Sequence, residues 1–485
     1  MTTKKVLNRL RAYESRNVTF IEPDGSWPIV WERAKGVHVW DADGKKYLDL
    51  TAAFGVAAAG HANPRVVKAG QKQMAKLLHA MGDVHPHALK VELARELSRI
   101  TFERWSVAAE VRKRKQERAE SVSFFTSAAV GKTIFCNSGF EAVEAALKTA
   151  MLATGKSGVI AFEGAYHGLG YGALNVTCRD HFRAPFRSQL GEFGRFVPFP
   201  VAADVGRLKS KRMKNEPPHV GCHEVERLIR HLFRCGKIGA IVVEPVQGRG
   251  GINIPPPEFL PLLRRLCDAH GALLIFDEIY TGFGRTGKWF ACEHTGTVPD
   301  LICLGKALTG GFPLSACVGC ADLMDAAWPE STGEAIHTST FLGHPVGCAM
   351  ALAQIEEIRS RKLVKRSAKL GNFLLESLKS LNPQPSTLNL SARSLGLMAG
   401  VELRLCDGSP ATAQALAIIK RMLHRGYILL PEGEHGNIIS FTPPLTMTEA
   451  QLAETVEALA EVVKRDDQSR RNKALTRRRT PKSNS

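Results

Sequence analysis

The sequence predicts an α/β fold. A large unit is built on a mostly parallel central sheet flanked by helices, and a smaller α+β unit follows it. Three observations carry this prediction. From about residue 130, short apolar runs at 132–136, 159–162, 240–243, 272–276, 300–304 and 315–319 alternate with helical stretches. These runs are too apolar to alternate between core and solvent, so both sheet faces are covered, as in a parallel sheet between helix layers. Beyond about residue 336 the periodicity is mainly helical, around 344–361, 364–380, 411–425 and 447–464, with strand candidates at 397–403 and 427–430.

Composition sets the outer bounds. The chain has 485 residues, 44% of them apolar and 23% charged, which is globular composition and excludes wholesale disorder. At about 100–200 residues per unit, two or three structural units are expected. No apolar run approaches the roughly 18–20 residues of a membrane-spanning helix. The net charge of +18 is localised: residues 1–16, 104–118 and 203–215 each carry a net +4 and residues 468–485 a net +7, so the remainder is near neutral. Only the C-terminal run, with Arg470-Arg471 and Arg477-Arg478-Arg479, invites a nucleic-acid reading, and a solvated disordered tail explains it as well. The eleven cysteines are scattered, and Cys136, Cys303 and Cys317 sit in strand-like runs, so they read as reduced core residues of a cytoplasmic protein. Cys317-Val318-Gly319-Cys320 has metal or redox spacing without a second pair to complete a site, and a strand segment suits it better. No metal site is expected.

Taken in order, the N-terminal part reads as loops and a hairpin around Asp41-Ala42-Asp43-Gly44, with a helix following Pro64. The basic, amphipathic first sixteen residues also suit a transit peptide. Residues 105–129 interrupt the large unit with charge and then Ser/Ala, as a surface insertion does.

Ligands of open parallel sheets sit beyond the carboxyl ends of the strands. After the run at 132–136 comes Asn137-Ser138-Gly139-Phe140-Glu141, a helix start whose free N–H groups suit a phosphate, although capped helix starts are common. After 272–276 comes Asp277-Glu278, an acid placed for a cation, a metal or a turn. The glycine-rich 281–287 segment matches neither a nucleotide-triphosphate loop nor a dinucleotide fingerprint. After 301–304 comes Gly305-Lys306, a lysine where burial would make a nucleophilic amine. An amine, an acid at a neighbouring strand end and a phosphate-binding helix start are together the three anchors of pyridoxal phosphate.

The chain resembles the class III pyridoxal-phosphate aminotransferases, the group of 4-aminobutyrate, acetylornithine and ornithine aminotransferases. The markers stand in family order: Gly60-His61-Ala62-Asn63-Pro64, Asn137-Ser138-Gly139, Tyr166-His167-Gly168, Glu244-Pro245-Val246-Gln247-Gly248, Asp277-Glu278-Ile279, 282–287, Gly305-Lys306, Thr340-Phe341 and Pro443-Pro444-Leu445. The resemblance runs from about Tyr13 to about Lys464, so the basic start belongs largely to the enzyme. It implies a fold-type I architecture: an N-terminal segment at 1–64 packing with the small domain, a large cofactor domain at 65–335, a small domain at 336–467 and a disordered basic tail at 468–485. It implies that Lys306 holds the cofactor as a Schiff base and shuttles the proton, and that Asp277 pairs with the pyridine nitrogen. Ile279 and Tyr166 would flank the ring, His167 would join the cofactor set, and the backbone at Ser138, Gly139 and Phe140 would cradle the phosphate. Thr340 would reach that phosphate from the partner of a homodimer. Glu244 would order the cofactor-facing network or brace local structure.

The departures concern substrate. Relatives commonly carry an arginine before Pro-Pro-Leu to clamp an α-carboxylate; Ser440 stands there. The 4-aminobutyrate enzymes carry an arginine after Tyr-His-Gly and a glutamate after Gln-Gly; here these are Leu169 and Arg249. Arg249 either binds a substrate carboxylate from a new direction or faces solvent or an acid. Phe140 replaces a small residue, Phe54 lies at the family's substrate gate, and Tyr280 stands where glutamine is common. The expectation is transamination from an ω-amine or β-amino acid to a 2-oxo acid. A mutase, racemase or decarboxylase of the same family is the alternative within the cofactor class. A non-catalytic, nucleic-acid-associated protein is the alternative outside it.

Overall fold

Three sheets order the chain, seen in a computed structural model that describes residues 1–107, 130–202, 221–381 and 387–479, with side chains to residue 468. The N-terminal strands are β1 (Trp31–Lys35), β2 (His38–Asp41) and β3 (Lys46–Asp49). The large unit holds β4 (Gly131–Cys136), β5 (Gly158–Phe162), β6 (Gly194–Val197), β7 (Ile238–Val243), β8 (Leu273–Asp277), β9 (Leu301–Leu304) and β10 (Ser315–Cys320). The C-terminal strands are β11 (Leu388–Ser394), β12 (Ala399–Leu405), β13 (Tyr427–Ile428), β14 (Leu430–Glu432) and β15 (Ile438–Phe441).

The central sheet runs in the order β4-β10-β9-β8-β7-β5-β6. Only β10 opposes its neighbours, pairing antiparallel with β4 and β9. All other pairs are parallel. This is the mostly parallel sheet that the unbroken apolar runs require. Every residue of β7 and β9 is buried. A second sheet, β11-β12-β15-β14, is wholly antiparallel. In the third, β13 adds parallel to β3 with Tyr427 opposite Leu48, so the N-terminal hairpin shares a sheet with the C-terminal unit.

The local signals act as chemistry dictates. Pro64 begins the helix Pro64–Lys76, and Asn63 caps it by accepting from the N–H groups of Arg65 and Val66. Glu141 accepts from the N–H groups of Asn137 and Ser138 at the mouth of the helix Gly139–Thr154. Cys317 and Cys320 are β10 residues.

Several expectations change. Residues 3–13 are helix, not loop. The strands β1, β6, β11 and β15 were not legible: β1, β6 and β11 lie at sheet edges and carry exposed residues that break the apolar run, and β15 is buried but only four residues long with Ser440 within it. The last helix, Glu449–Arg479, continues through most of the segment expected to be a disordered tail. Most of the expected insertion (108–129) and the basic run 203–215 lie outside the described residues.

Candidate active site

Neighbouring parallel strands end in the site. The register places Val243 opposite Phe276 and Asp277 opposite Cys303. Glu244 after β7, Asp277 at the end of β8 and Lys306 two residues beyond β9 therefore converge at one edge of the sheet. The loop after β5 brings Tyr166 and His167 to the same edge: Glu244 Oε1 accepts the Tyr166 N–H at 3.0 Å, and His167 Nδ1 lies 2.8 Å from Asp277 Oδ2.

Asp277 is held from two sides, since its Oδ1 also accepts the Ile279 N–H at 3.1 Å. Burial opposes charging the His167 ring, but the Asp277 carboxylate outweighs it and raises the imidazole above its usual value. His167 Nε2 is buried and meets no partner among the described residues. Glu244 binds the Gly248 N–H with its second oxygen at 3.0 Å. Burial raises it to about 7, with nearby Asp277 acting the same way against the opposing His167.

Lys306 follows an extended Gly305 and itself adopts φ +43°, a left-handed conformation that costs a lysine of order 1–3 kcal/mol and that the turn must impose. Its Nζ stands 3.9 Å from the centroid of the Tyr280 ring. Burial lowers its ammonium below the ordinary lysine value; Asp277, Glu244 and Glu432 pull back upward, and Arg249 reinforces burial. Burial and the carboxylate of Glu432 raise Tyr280 to about 12, and its hydroxyl meets Thr442 Oγ1 at 3.1 Å.

The cradle is equally defined. A Cβ at Gly139 would come within 3.1 Å of Ile279, and one at Gly305 within 3.3 Å. Ile279 is thus wedged between the helix mouth and the lysine turn. Ser138 Oγ is buried and has no hydrogen-bond partner among the described residues. The Phe140 side chain packs on the Gly168–Gly170 turn, where a Cβ at Gly168 would fall 2.3 Å from it. An orphaned hydroxyl at a helix N-terminus, an oriented acid and a desolvated amine fit pyridoxal phosphate.

The expected pocket residues separate. Arg249 is half-buried, with its guanidinium carbon 5.0 Å from the Tyr166 ring centroid and Nε 3.9 Å from Glu432 Oε2. The acid-facing reading of Arg249 thus has a geometric basis. Phe54 and Leu169 are largely exposed, and so is Thr340. Ser440 is buried, and its hydroxyl donates to Leu430 O at 3.1 Å, so it presents no free donor to a substrate.

Two charged groups went unnoticed in the sequence. Glu432 is buried at the end of β14, and burial raises its carboxyl while Arg249, Arg179 and Lys306 lower it. The strand candidate at 427–430 ends two residues before it, so no strand-end signal marked it in the sequence. Arg179 donates to Gly433 O; it lies in a loop with no motif to flag it.

The model of the family described as aminotransferase class-III matches residues 21–463. The chain is 35% identical to the 5-aminovalerate aminotransferase of Pseudomonas aeruginosa over 95% of this chain and 98% of that protein. It is 33% identical to the putrescine aminotransferase of Pectobacterium atrosepticum, over 91% and 84% respectively. Among solved structures, an omega-transaminase of Pseudomonas jessenii in complex with PMP superposes with a TM-score of 0.79 at 25% identity, covering 95% of this chain and 98% of that one. None of these three is a mutase, racemase or decarboxylase.

Proposed function

The chain belongs to the class-III aminotransferases, pyridoxal-phosphate enzymes of fold type I that transfer amino groups, and from that premise we propose that its donor is an ω-amine or β-amino acid and its acceptor a 2-oxo acid. The observation that carries the site assignment is the convergence of Lys306, Asp277 and the Ser138–Gly139 helix mouth beyond one edge of the parallel sheet.

Each residue then has a part. Ser138, Gly139 and Phe140 would hold the phosphate, and Ile279 and Tyr166 would flank the ring. Asp277, held by His167, would keep the ring nitrogen protonated. Pyridoxal phosphate, when bound, withdraws electrons from the carbon that carries the transferred nitrogen. Lys306 Nζ, whose amine burial helps to keep neutral, would take the proton from that carbon and return it to the cofactor carbon on the other side of the nitrogen. Glu244 orders the Tyr166 and Gly248 backbone around the ring. The Tyr280 ring beneath Lys306 lines the floor of the pocket.

The donor class rests on what the acid-binding positions contain. Ser440 offers no cation and Leu169 is apolar, so an α-carboxylate lacks the usual clamp. Arg249 is the cation within reach of Lys306, and it anchors the carboxylate of the acceptor or of a β- or ω-amino acid. We place the enzyme in the cytoplasm as a homodimer; the exposed Thr340 supports shared sites, and the buried thiols of Cys136, Cys303 and Cys317 support a reducing compartment.

A donor titration followed by visible absorption of the holoenzyme tests the reading. Alkyl ω-amines and β-amino acids bleach the cofactor band and a 2-oxo acid restores it; the α-amino acid formed from that oxo acid bleaches the band in the reverse half-reaction, while α-amino acids unrelated to the acceptor act far more slowly. Arg249→Ala raises KM for carboxylated substrates by about 10–100-fold and spares plain amines. Equal effects on both would remove Arg249 from substrate recognition.

A further inference from the structure

The Lys306 amine rests on an aromatic face. Its Nζ stands 3.9 Å from the centroid of the Tyr280 ring, well inside the roughly 6 Å over which a cation is drawn to such a face. Among the described residues Nζ makes no hydrogen bond and no ion pair. Asp277, Glu244, Glu432 and Arg249 act on it through longer-range charge alone.

The ring is built to stay where it is. A Cβ on Gly55 would fall 2.6 Å from one edge of it, and a Cβ on Gly248 would fall 2.3 Å from the opposite edge. Two glycines thus let the backbone close on the ring from both sides. Tyr280 also packs in a cluster with Val246, Ile252 and Met398. Its hydroxyl is anchored by a chain with a fixed direction. Thr442 Oγ1 spends its proton on Thr51 O at 3.0 Å, so it accepts from the Tyr280 hydroxyl at 3.1 Å. The phenol keeps its proton, being raised to about 12, and Tyr280 offers Lys306 a neutral π face, not a competing base.

A proton carrier in a desolvated site has two conflicting needs. Its charged form must be stabilised, and its proton must remain free to leave. A carboxylate at hydrogen-bond distance meets the first need and hinders the second. A ring face attracts the ammonium without accepting its proton, and leaves the N–H bonds free to point elsewhere. We propose that the Tyr280 ring face is the seat of the protonated Lys306 amine between uptake and return of the proton, which makes Tyr280 the residue that positions Nζ for the shuttle. This rests on the reading of Lys306 as the proton carrier.

The test titrates Lys306 in the cofactor-free protein. Acetic anhydride labels neutral amines, Lys306 is partly accessible, and peptide mass spectrometry reads the labelling of this residue against pH. In Tyr280→Phe, which keeps the ring, the midpoint stays within about half a pH unit of wild type. Mono-, di- and trifluorinated phenylalanine at position 280 keep the ring's shape and withdraw electrons from its face. The midpoint falls with each added fluorine, by about one pH unit over the series. Tyr280→Leu lowers it by a similar amount, and the fluorine series decides the matter if that variant fails to fold. A midpoint that ignores fluorine, or rises with it, overturns the proposal, because a ring with a purely structural role gives that result. The reading beneath it is checked separately: pyridoxal phosphate added before the anhydride shields Lys306 in the wild type. Without that shielding, the cofactor-site reading fails instead.

Discussion

Glu244 shows how a single buried carboxylate ties the site to pH. Its ordinary value of 4.5 is raised to about 7, chiefly by burial. Between those values the folded protein keeps a proton that the unfolded chain has released. The folded state binds more protons there, so Glu244 adds stability that is full below about pH 4.5 and is lost as pH rises to about 7. Glu278, buried under Ala291 and Cys292 and also raised to about 7 by burial, contributes a fall of the same sign. Glu244→Gln removes only the first contribution. In the cofactor-free protein, the stability of the variant relative to wild type therefore climbs by up to about 3 kcal/mol between pH 4.5 and 7, at 1.36 kcal/mol per pKa unit. Urea unfolding at several pH values measures this. Parallel wild-type and variant curves would mean that Glu244 ionises at its ordinary value.

At the scale of elements, the strain lies where the N-terminal segment meets the lysine turn. Ala52, Ala53 and Phe54 all have positive φ, at 47°, 49° and 60°, and Gly55 follows at 81°. Three consecutive non-glycine residues in that region mark a backbone held by its surroundings. Thr51 supplies part of the hold, accepting from the Ala53 N–H while Asp49 binds the Thr51 hydroxyl. The tight side is Tyr280: a Cβ on Gly55 would fall 2.6 Å from its ring. Gly55→Ala is thus expected to destabilise the fold by about 1–3 kcal/mol and to push the ring from beneath Lys306, lowering kcat. Ala53→Gly removes a strained Cβ without touching Tyr280 and leaves stability within about 1 kcal/mol of wild type. A Gly55→Ala protein as stable and active as wild type would show that the segment yields freely. Legibility divides at this scale as well. The interior strands of the parallel sheet and the residues at their carboxyl ends announced themselves, because full burial leaves unbroken apolar runs with polar residues at their tips. The edge strands β1, β6 and β11 did not, because exposed positions mix polar with apolar residues, and the buried but four-residue β15 was too short a run to stand out. The strained 52–54 turn was invisible because nothing in Ala-Ala-Phe demands a left-handed backbone; tertiary contacts impose it. Glu432 escaped for a related reason: its charge partners, Arg179 and Arg249, lie far away in sequence and only the fold assembles them.

At the scale of the whole molecule, the proposed homodimer makes a testable prediction about Thr340. The residue is exposed, and its neighbour Ser339 accepts from Asn137 Nδ2 of the same chain at 3.4 Å, one residue before the cradle serine. His337, earlier in the same loop, bonds Lys148 on the helix Gly139–Thr154. The loop therefore runs past the cradle of its own chain. A dimer axis close to this point would bring the loops of both subunits near both cradles, and mixing subunits that carry different substitutions tells the two arrangements apart. If Thr340 binds the phosphate as the family resemblance implies, Thr340→Ala removes a charge-assisted bond of about 1.5–3 kcal/mol, and cofactor affinity falls by about 10–150-fold. Lys306→Ala leaves a protein that cannot carry out turnover. If Thr340 acts across the interface, a mixed dimer of the two variants contains one site with both residues intact, Lys306 from one chain and Thr340 from the other. Unfolding and co-refolding the two variants at equal amounts then restores activity at cofactor concentrations too low for Thr340→Ala alone. If Thr340 serves its own chain, every site in the mixture carries one of the two defects, and mixing restores nothing.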